Sequence, residues 1–181
     1  MTDLHPELER ILISEEEIQR RVAEIASEID RDYDQKEGVV IIGILKGAFI
    51  FSADLSRKLS VPHSIDFMSI SSYGDMAEFG GAVRLILDLR KPVNGKHVIV
   101  VEDIVDTGHT MNYLHQTLQG REPASLKTCT LFIKKRDGLN VPLDYVGFEI
   151  PDVWVVGYGL DYADTHRTLP FIAELKKEVY S

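Results

Sequence analysis

Cysteine is almost missing from this 181-residue sequence, with Cys129 its only instance. One thiol cannot close an internal disulfide, so a disulfide-stapled secreted scaffold is excluded. Cys129 lies in the strand-like run LKTCTLF and reads as a small core residue in a reducing compartment. Long apolar runs are missing too. GVVIIGIL and VIVV stop far short of the roughly 18 residues that a membrane span needs. The N-terminal MTDLHPELER carries acids where a signal peptide would have a basic region and an apolar core. No membrane partner and a cytoplasmic location are therefore expected.

Positive charge is also scarce. Twenty basic residues against 29 acidic ones leave a formal charge of −9. The first 38 residues hold 12 acids and 5 bases, and so carry −7 of it. Nucleic-acid binding wants a basic stripe that neutralises phosphates, and none is visible, so no nucleic-acid partner is expected. Neither a Walker A loop nor G-x-G-x-x-G is present, which leaves ATPase and Rossmann readings without their fingerprint. His5, His63, His97, His109, His115 and His166 show no H-x-x-x-H or Cys/His ligand spacing, so no zinc is expected. An acidic chain can still bind an anionic small molecule where a metal, helix N-termini and a few placed cations supply positive potential.

What is present suits one α/β domain over residues 1–181, with 44% hydrophobic and 27% charged residues and enough chain for a sizeable core. Ser14 and Glu17 have capping-box spacing, and Ile18, Val22, Ile25 and Ile29 recur at helical intervals, predicting an amphipathic helix over about 15–33. VVIIGIL (39–45) predicts a strand buried on both faces, with GAFIFSADLSRKL as the helix after it. HSIDFMSISS and VRLILDL read as strands on either side of the polar, glycine-bounded loop SSYGDMAEFGG. VIVVEDI (98–104) is a further strand leading into a helix over about 107–119. SLKTCTLFIKK and YVGFEI are two more strands, and WVVGYGLDY is a last apolar stretch before a short C-terminal helix. Strands alternating with helices predict an α/β fold: a mostly parallel, twisted sheet flanked by helices.

The segment richest in chemistry is VIVVEDIVDTGHTM, 98 to 111. Ligands of open α/β sheets bind beyond the carboxyl ends of the strands. There, Glu102 and Asp103 stand where the apolar strand runs out, followed by Asp106, Thr107, Gly108, His109 and Thr110 at a strand-to-helix turn. Free backbone N–H groups, two hydroxyls and a glycine that permits close approach suit a phosphate. Taken singly, Asp106 or Thr107 could equally be an ordinary helix cap.

VVEDIVDTGHTM resembles the 5-phosphoribosyl-1-pyrophosphate (PRPP) motif of the type I phosphoribosyltransferases, in the spelling of the hypoxanthine-guanine branch. The resemblance runs through nearly the whole chain. ILKGAFIF (44–51) is similar to the pyrophosphate loop, SSYG (71–74) to the mobile catalytic loop, and FIKKR (132–136) to the purine-recognition strand. FEIPDVWVVGYGLDY (148–162) and Arg167 resemble the C-terminal base and metal site. The resemblance implies the type I fold with a small hood built from the N- and C-terminal segments. It implies transfer of phosphoribose from PRPP to hypoxanthine, and also guanine, releasing pyrophosphate.

It further implies roles for individual residues. Asp106, Thr107, Gly108, His109 and Thr110 would hold the 5′-phosphate, with Asp106 also managing the purine proton as the catalytic residue. Glu102 and Asp103 would face the ribose and a magnesium ion, and Asp161 the base and a second magnesium carried with PRPP or pyrophosphate. Leu45, Lys46 and Gly47, with Arg167, would bind pyrophosphate, and the Leu45–Lys46 peptide can be cis. Ser72 and Tyr73 belong to the mobile loop. Trp154 would stack on the purine, Val155 would offer backbone groups to its edge, and Lys134 would contact its O6. Lys135 leaves that register open by one residue. On their own, Lys46 and Arg167 read as surface cations and Trp154 as a core ring, and their roles rest on the resemblance. A homodimer or homotetramer is expected. A relative acting on xanthine and a non-catalytic PRPP-sensing regulator are the alternative readings. The second would need an appended nucleic-acid-binding region, for which the chain has no spare length.

Overall fold

Two short segments far apart in sequence, β1 (Leu8–Ile13) and β9 (Ile172–Leu175), pair antiparallel, with Leu8 opposite Leu175 and Ile13 opposite Ile172. β8 (Val155–Val156) adds to the other edge of β9 and completes a three-stranded sheet, the hood, and α4 (Lys177–Tyr180) follows. The computed structural model of the chain describes residues 4–33, 38–72, 83–135 and 141–181. Neither β1 nor β9 is anticipated by the local pattern. LERILI and IAEL are too short and too mixed in polarity to show alternation, and their strand character comes from pairing with segments distant in sequence.

The first helix, α1 (Glu15–Asp32), begins as its sequence predicts. The Ser14 hydroxyl accepts from the Glu17 N–H at 3.3 Å, and Glu17 Oε2 accepts from the Ser14 N–H at 2.9 Å, so two otherwise orphaned donors are satisfied reciprocally. Ile18, Val22, Ile25, Ala26 and Ile29 are its buried stripe.

The main sheet has the order β4-β3-β2-β5-β6-β7. β2 (Val39–Leu45), β3 (His63–Ser72), β5 (His97–Val105), β6 (Ser125–Lys134) and β7 (Tyr145–Ile150) are parallel, and β4 (Val83–Leu87) is an antiparallel edge. Successive side chains of a strand point to opposite faces. Val39, Ile41, Ile99 and Val101 therefore pack with α1 and α2 (Phe49–Lys58), while Ile42, Ile44, Val98 and Val100 pack with α3 (His109–Gln119). Both faces are apolar because both are covered. Cys129 is fully buried in the first of these cores. Helix α3 starts at His109 rather than at 107, because Gly108 turns the chain with φ +80°. Among the described residues, no helix is long and apolar enough to cross a membrane.

β2 leads to β3 on one side and β5 leads to β6 on the other, so the two neighbours β2 and β5 form the topological switch point. Loops leaving their carboxyl ends diverge and open a crevice.

Candidate active site

Glu102 and Asp103 lie toward the carboxyl end of β5 at that crevice, 7% and 8% exposed. Burial pushes both carboxyls above their ordinary range, and the Asp103 charge pushes Glu102 further. Asp103 Oδ1 accepts from the Ile104 N–H at 2.7 Å. Glu102 Oε2 is buried with no hydrogen-bond partner. A buried acceptor left unpaired costs about 1–3 kcal/mol, so the arrangement suits a partner that enters with the substrate. A hard divalent cation with its water shell, or ribose hydroxyls, fits this donor set.

The loop after β2 closes directly over Asp103. A Cβ at Gly47 would collide with Asp103 Oδ2, and one at Gly159 would collide with the Gly47 carbonyl. Gly159 also has φ +104°, so three layers, Asp103, Gly47 and Gly159, stack with no room for a side chain. The Leu45–Lys46 peptide beside them is cis. Lys46 Nζ lies 3.0 Å from Asp164 Oδ1, and Arg167 Nη2 lies 3.2 Å from the same oxygen. Arg167 also donates to the Gly159 carbonyl at 2.8 Å and pairs with Asp161 Oδ1 at 2.7 Å. The two cations assigned to pyrophosphate are thus held close together by one anion, Asp164, whose carboxyl they keep below its ordinary range. Asp161 Oδ2 accepts from the Asp164 N–H, so both Asp161 oxygens have protein partners that a metal would have to replace. Asp164 and Gly159 were not singled out from sequence. No local signal marks Asp164, whereas the glycine of GYGLDY could have raised the question.

At the end of β5, Gly108 caps α3 without a side-chain hydrogen bond. Neither Asp106 nor Thr107 is therefore the helix cap that each could have been. Leu45, Ile70, Glu102, Asp106, Thr107 and Thr110 border a cleft of about 220 Å³ at this turn. Thr107 and His109 are exposed, and Thr110 is half-buried.

A second hollow of about 200 Å³ adjoins it, lined by Ile104, Asp106, Lys134, Trp154, Val155 and Asp161. Lys134 faces it from the end of β6, with Nζ 3.3 Å from Asp106 Oδ2 and 3.2 Å from Asp152 Oδ1 and only 14% of its side chain exposed. Lys135 points the other way, 79% exposed and paired with Glu149 at 3.5 Å. Strand alternation thus turns Lys134, and not Lys135, toward this hollow. Trp154 is half-exposed; it stacks on Tyr180 at 5.4 Å and meets Tyr162 edge-on at 5.6 Å. Asp152 was not foreseen from sequence. Ser72 is the last residue of β3, and Tyr73 lies outside the described residues, as does most of the glycine-bounded loop.

The chain matches the model of the phosphoribosyl transferase domain over residues 12–163. It is 45% identical over 175 residues to the hypoxanthine-guanine phosphoribosyltransferase of Dictyostelium discoideum, covering 94% of this chain and 97% of that one. It is also 45% identical over 171 residues to the hypoxanthine phosphoribosyltransferase of Haemophilus influenzae, covering 93% and 96%. Among solved structures, the hypoxanthine phosphoribosyltransferase of Staphylococcus aureus superposes with a TM-score of 0.93 at 41% identity, over 100% of this chain and 99% of that one. That of Trypanosoma cruzi gives 0.91 at 46% identity, over 98% and 96%.

Proposed function

The chain belongs to the phosphoribosyl transferase domain family, and from that premise we propose that it joins hypoxanthine, and also guanine, to the phosphoribosyl group of PRPP in purine salvage. The observation that carries the reading is the meeting of Glu102, Asp103 and Gly47 at the β2–β5 switch point, beside the turn from Asp106 to Thr110. N9 of the purine attacks the anomeric ribosyl carbon, the bond from that carbon to pyrophosphate breaks, and its electron pair leaves with pyrophosphate. The 5′-phosphate sits on the N–H groups at the start of α3 and on the Thr107 and Thr110 hydroxyls. Asp106 takes the proton that the purine loses. Lys46 and Arg167 exchange Asp164 for the oxygens of pyrophosphate. Trp154 covers the base, and the Val155 backbone meets its edge. Glu102 and Asp103, largely through water, and Asp161 would hold magnesium, which would supply charge neutralisation for the leaving group.

Base choice follows from Lys134. Its ammonium has three donors and no acceptor, which suits the carbonyl of a 6-oxopurine and opposes the amino group of adenine. A site built around such a bond rejects the mismatched analogue by about 10⁴-fold. Supplied with PRPP, magnesium and a panel of purines, the protein should use adenine at no more than roughly one part in 10³ of the hypoxanthine rate. Activity should stop with EDTA and return with magnesium. Comparable kcat/KM for adenine and hypoxanthine would overturn the assignment, and so would full activity without metal. Asp106→Asn keeps the shape but loses the proton acceptor, so kcat should fall roughly 10²–10⁴-fold while nucleotide still binds. Wild-type turnover in that variant would remove Asp106 from the reaction. The cytoplasmic location forms part of the proposal, in keeping with the unpaired, buried Cys129.

A further inference from the structure

At the hood, the fold assembles a cluster that no local spacing announces. His5 and Glu7 precede β1, and His166 reaches them from a sequence distance of 159 residues from Glu7. His166 Nε2 lies 2.6 Å from Glu7 Oε2, and His5 Nδ1 lies 3.8 Å from the same oxygen. The two imidazoles meet edge to face with centroids 4.9 Å apart. One ligand atom from each residue falls within 4.8 Å of the other two.

Ligands about 2.0–2.2 Å from a tetrahedral metal stand roughly 3.4 Å from one another. The separations of 2.6 and 3.8 Å bracket that value, and all three ligand atoms lie within 4.8 Å of one another, so side-chain rotations would close the triangle on an ion. Two neutral imidazoles and one carboxylate suit zinc and its neighbours in the first transition row, whereas magnesium and calcium prefer oxygen-only shells. His166 is anchored for such a role. It has φ +67° and its side chain is only 9% exposed, whereas His5 lies at the surface and leaves a fourth position open to water. The next residue, Arg167, turns its side chain the opposite way, to Gly159 and Asp161.

We propose that His5, Glu7 and His166 form a zinc-binding site that clips the segment before β1 to the loop carrying Asp161 and Arg167. It is separate from the acidic site at Glu102 and Asp103, whose all-oxygen donors select a harder ion.

The test uses the full, untagged chain stripped of metal, with excess magnesium present to occupy oxygen sites. Zinc titrated calorimetrically should bind once per chain. Cobalt in its place should give the strong visible absorption of a low-coordinate, nitrogen-ligated ion. Loss of a second-shell partner weakens metal sites roughly 10–100-fold, and loss of a ligand should cost at least as much. His5→Ala and His166→Asn should each weaken zinc binding by that factor or more and abolish the cobalt absorption, while Glu102→Gln leaves both intact. Zinc should raise Tm in the wild type and not in His5→Ala. His5 is exposed, so that variant remains informative even if His166→Asn fails to fold. Unchanged zinc affinity in His5→Ala, or loss confined to Glu102→Gln, would overturn the proposal. None of these readouts depends on transferase activity.

Discussion

Glu102 and Asp103 are the residues at which function and stability oppose each other most directly. Both are over nine-tenths buried; burial raises both pKa values, and the Asp103 charge raises that of Glu102 further. The folded chain therefore holds these protons more tightly than the unfolded chain does. The stabilisation this brings is fully present at low pH and is lost as pH rises from the ordinary carboxylate range through the raised folded values. At neutral pH the pair is a liability that persists only for its ligand. Glu102→Gln and Asp103→Asn keep the shape without the charge. With no ligand, each should gain about 1–3 kcal/mol, seen as a Tm increase of roughly 2–10 °C, larger at pH 8 than at pH 5. Each should also lose roughly 10²-fold or more in kcat/KM. A lower Tm in both variants at pH 8 would contradict this account. The acidic pair and the turn after it were legible in sequence, since both lie where an apolar run of β5 stops. Lys134 was not separable from Lys135, because neighbouring strand positions differ only in the face they present, and the sheet decides which face is the site.

Between elements, the decisive contact is that of the loop before α2 with the loop after β8. Gly47 lies against Asp103, Gly159 lies against Gly47, and Arg167 holds the Gly159 carbonyl. Gly159→Ala meets two obstacles, the Gly47 carbonyl and a φ of +104°. Gly95→Ala, at φ +67° with nothing nearby, meets only the second. Strain at a positive φ costs about 1–3 kcal/mol, so both variants should lose Tm. Only Gly159→Ala should also raise the KM for PRPP, by roughly tenfold (about 1.4 kcal/mol). Steady-state kinetics on the two variants side by side would check it, and equal KM values would remove the coupling. Elements with a local cause were readable. The capping box of α1 and the continuous apolar runs of β2 and β5 are properties of a few neighbouring residues. β1 and β9 were not, because a six-residue and a four-residue segment acquire their strand character only from partners outside themselves.

For the whole molecule, β4 is a sheet edge, and Ile65, Ile86 and Leu87 on β3 and β4 are exposed at 40%, 57% and 44%. An apolar edge of this kind favours association. Light scattering should therefore give a particle of two or four chains of 20.4 kDa, and Ile86→Lys should shift it toward smaller species. A single chain at working concentration would contradict this. The sequence by itself determined what short-range physics can carry: the alternation of buried strands with helices, the cap of α1, the acidic pair at 102 and 103, and the glycine turn into α3. Only the tertiary structure decided which distant residues meet. Lys46 and Arg167 share Asp164, Lys134 turns to Asp106 rather than to solvent, and His166 joins Glu7. Periodicity and spacing describe neighbours along the chain. These encounters instead follow from the burial of two sheets and their helices against one another, which is a property of the chain as a whole.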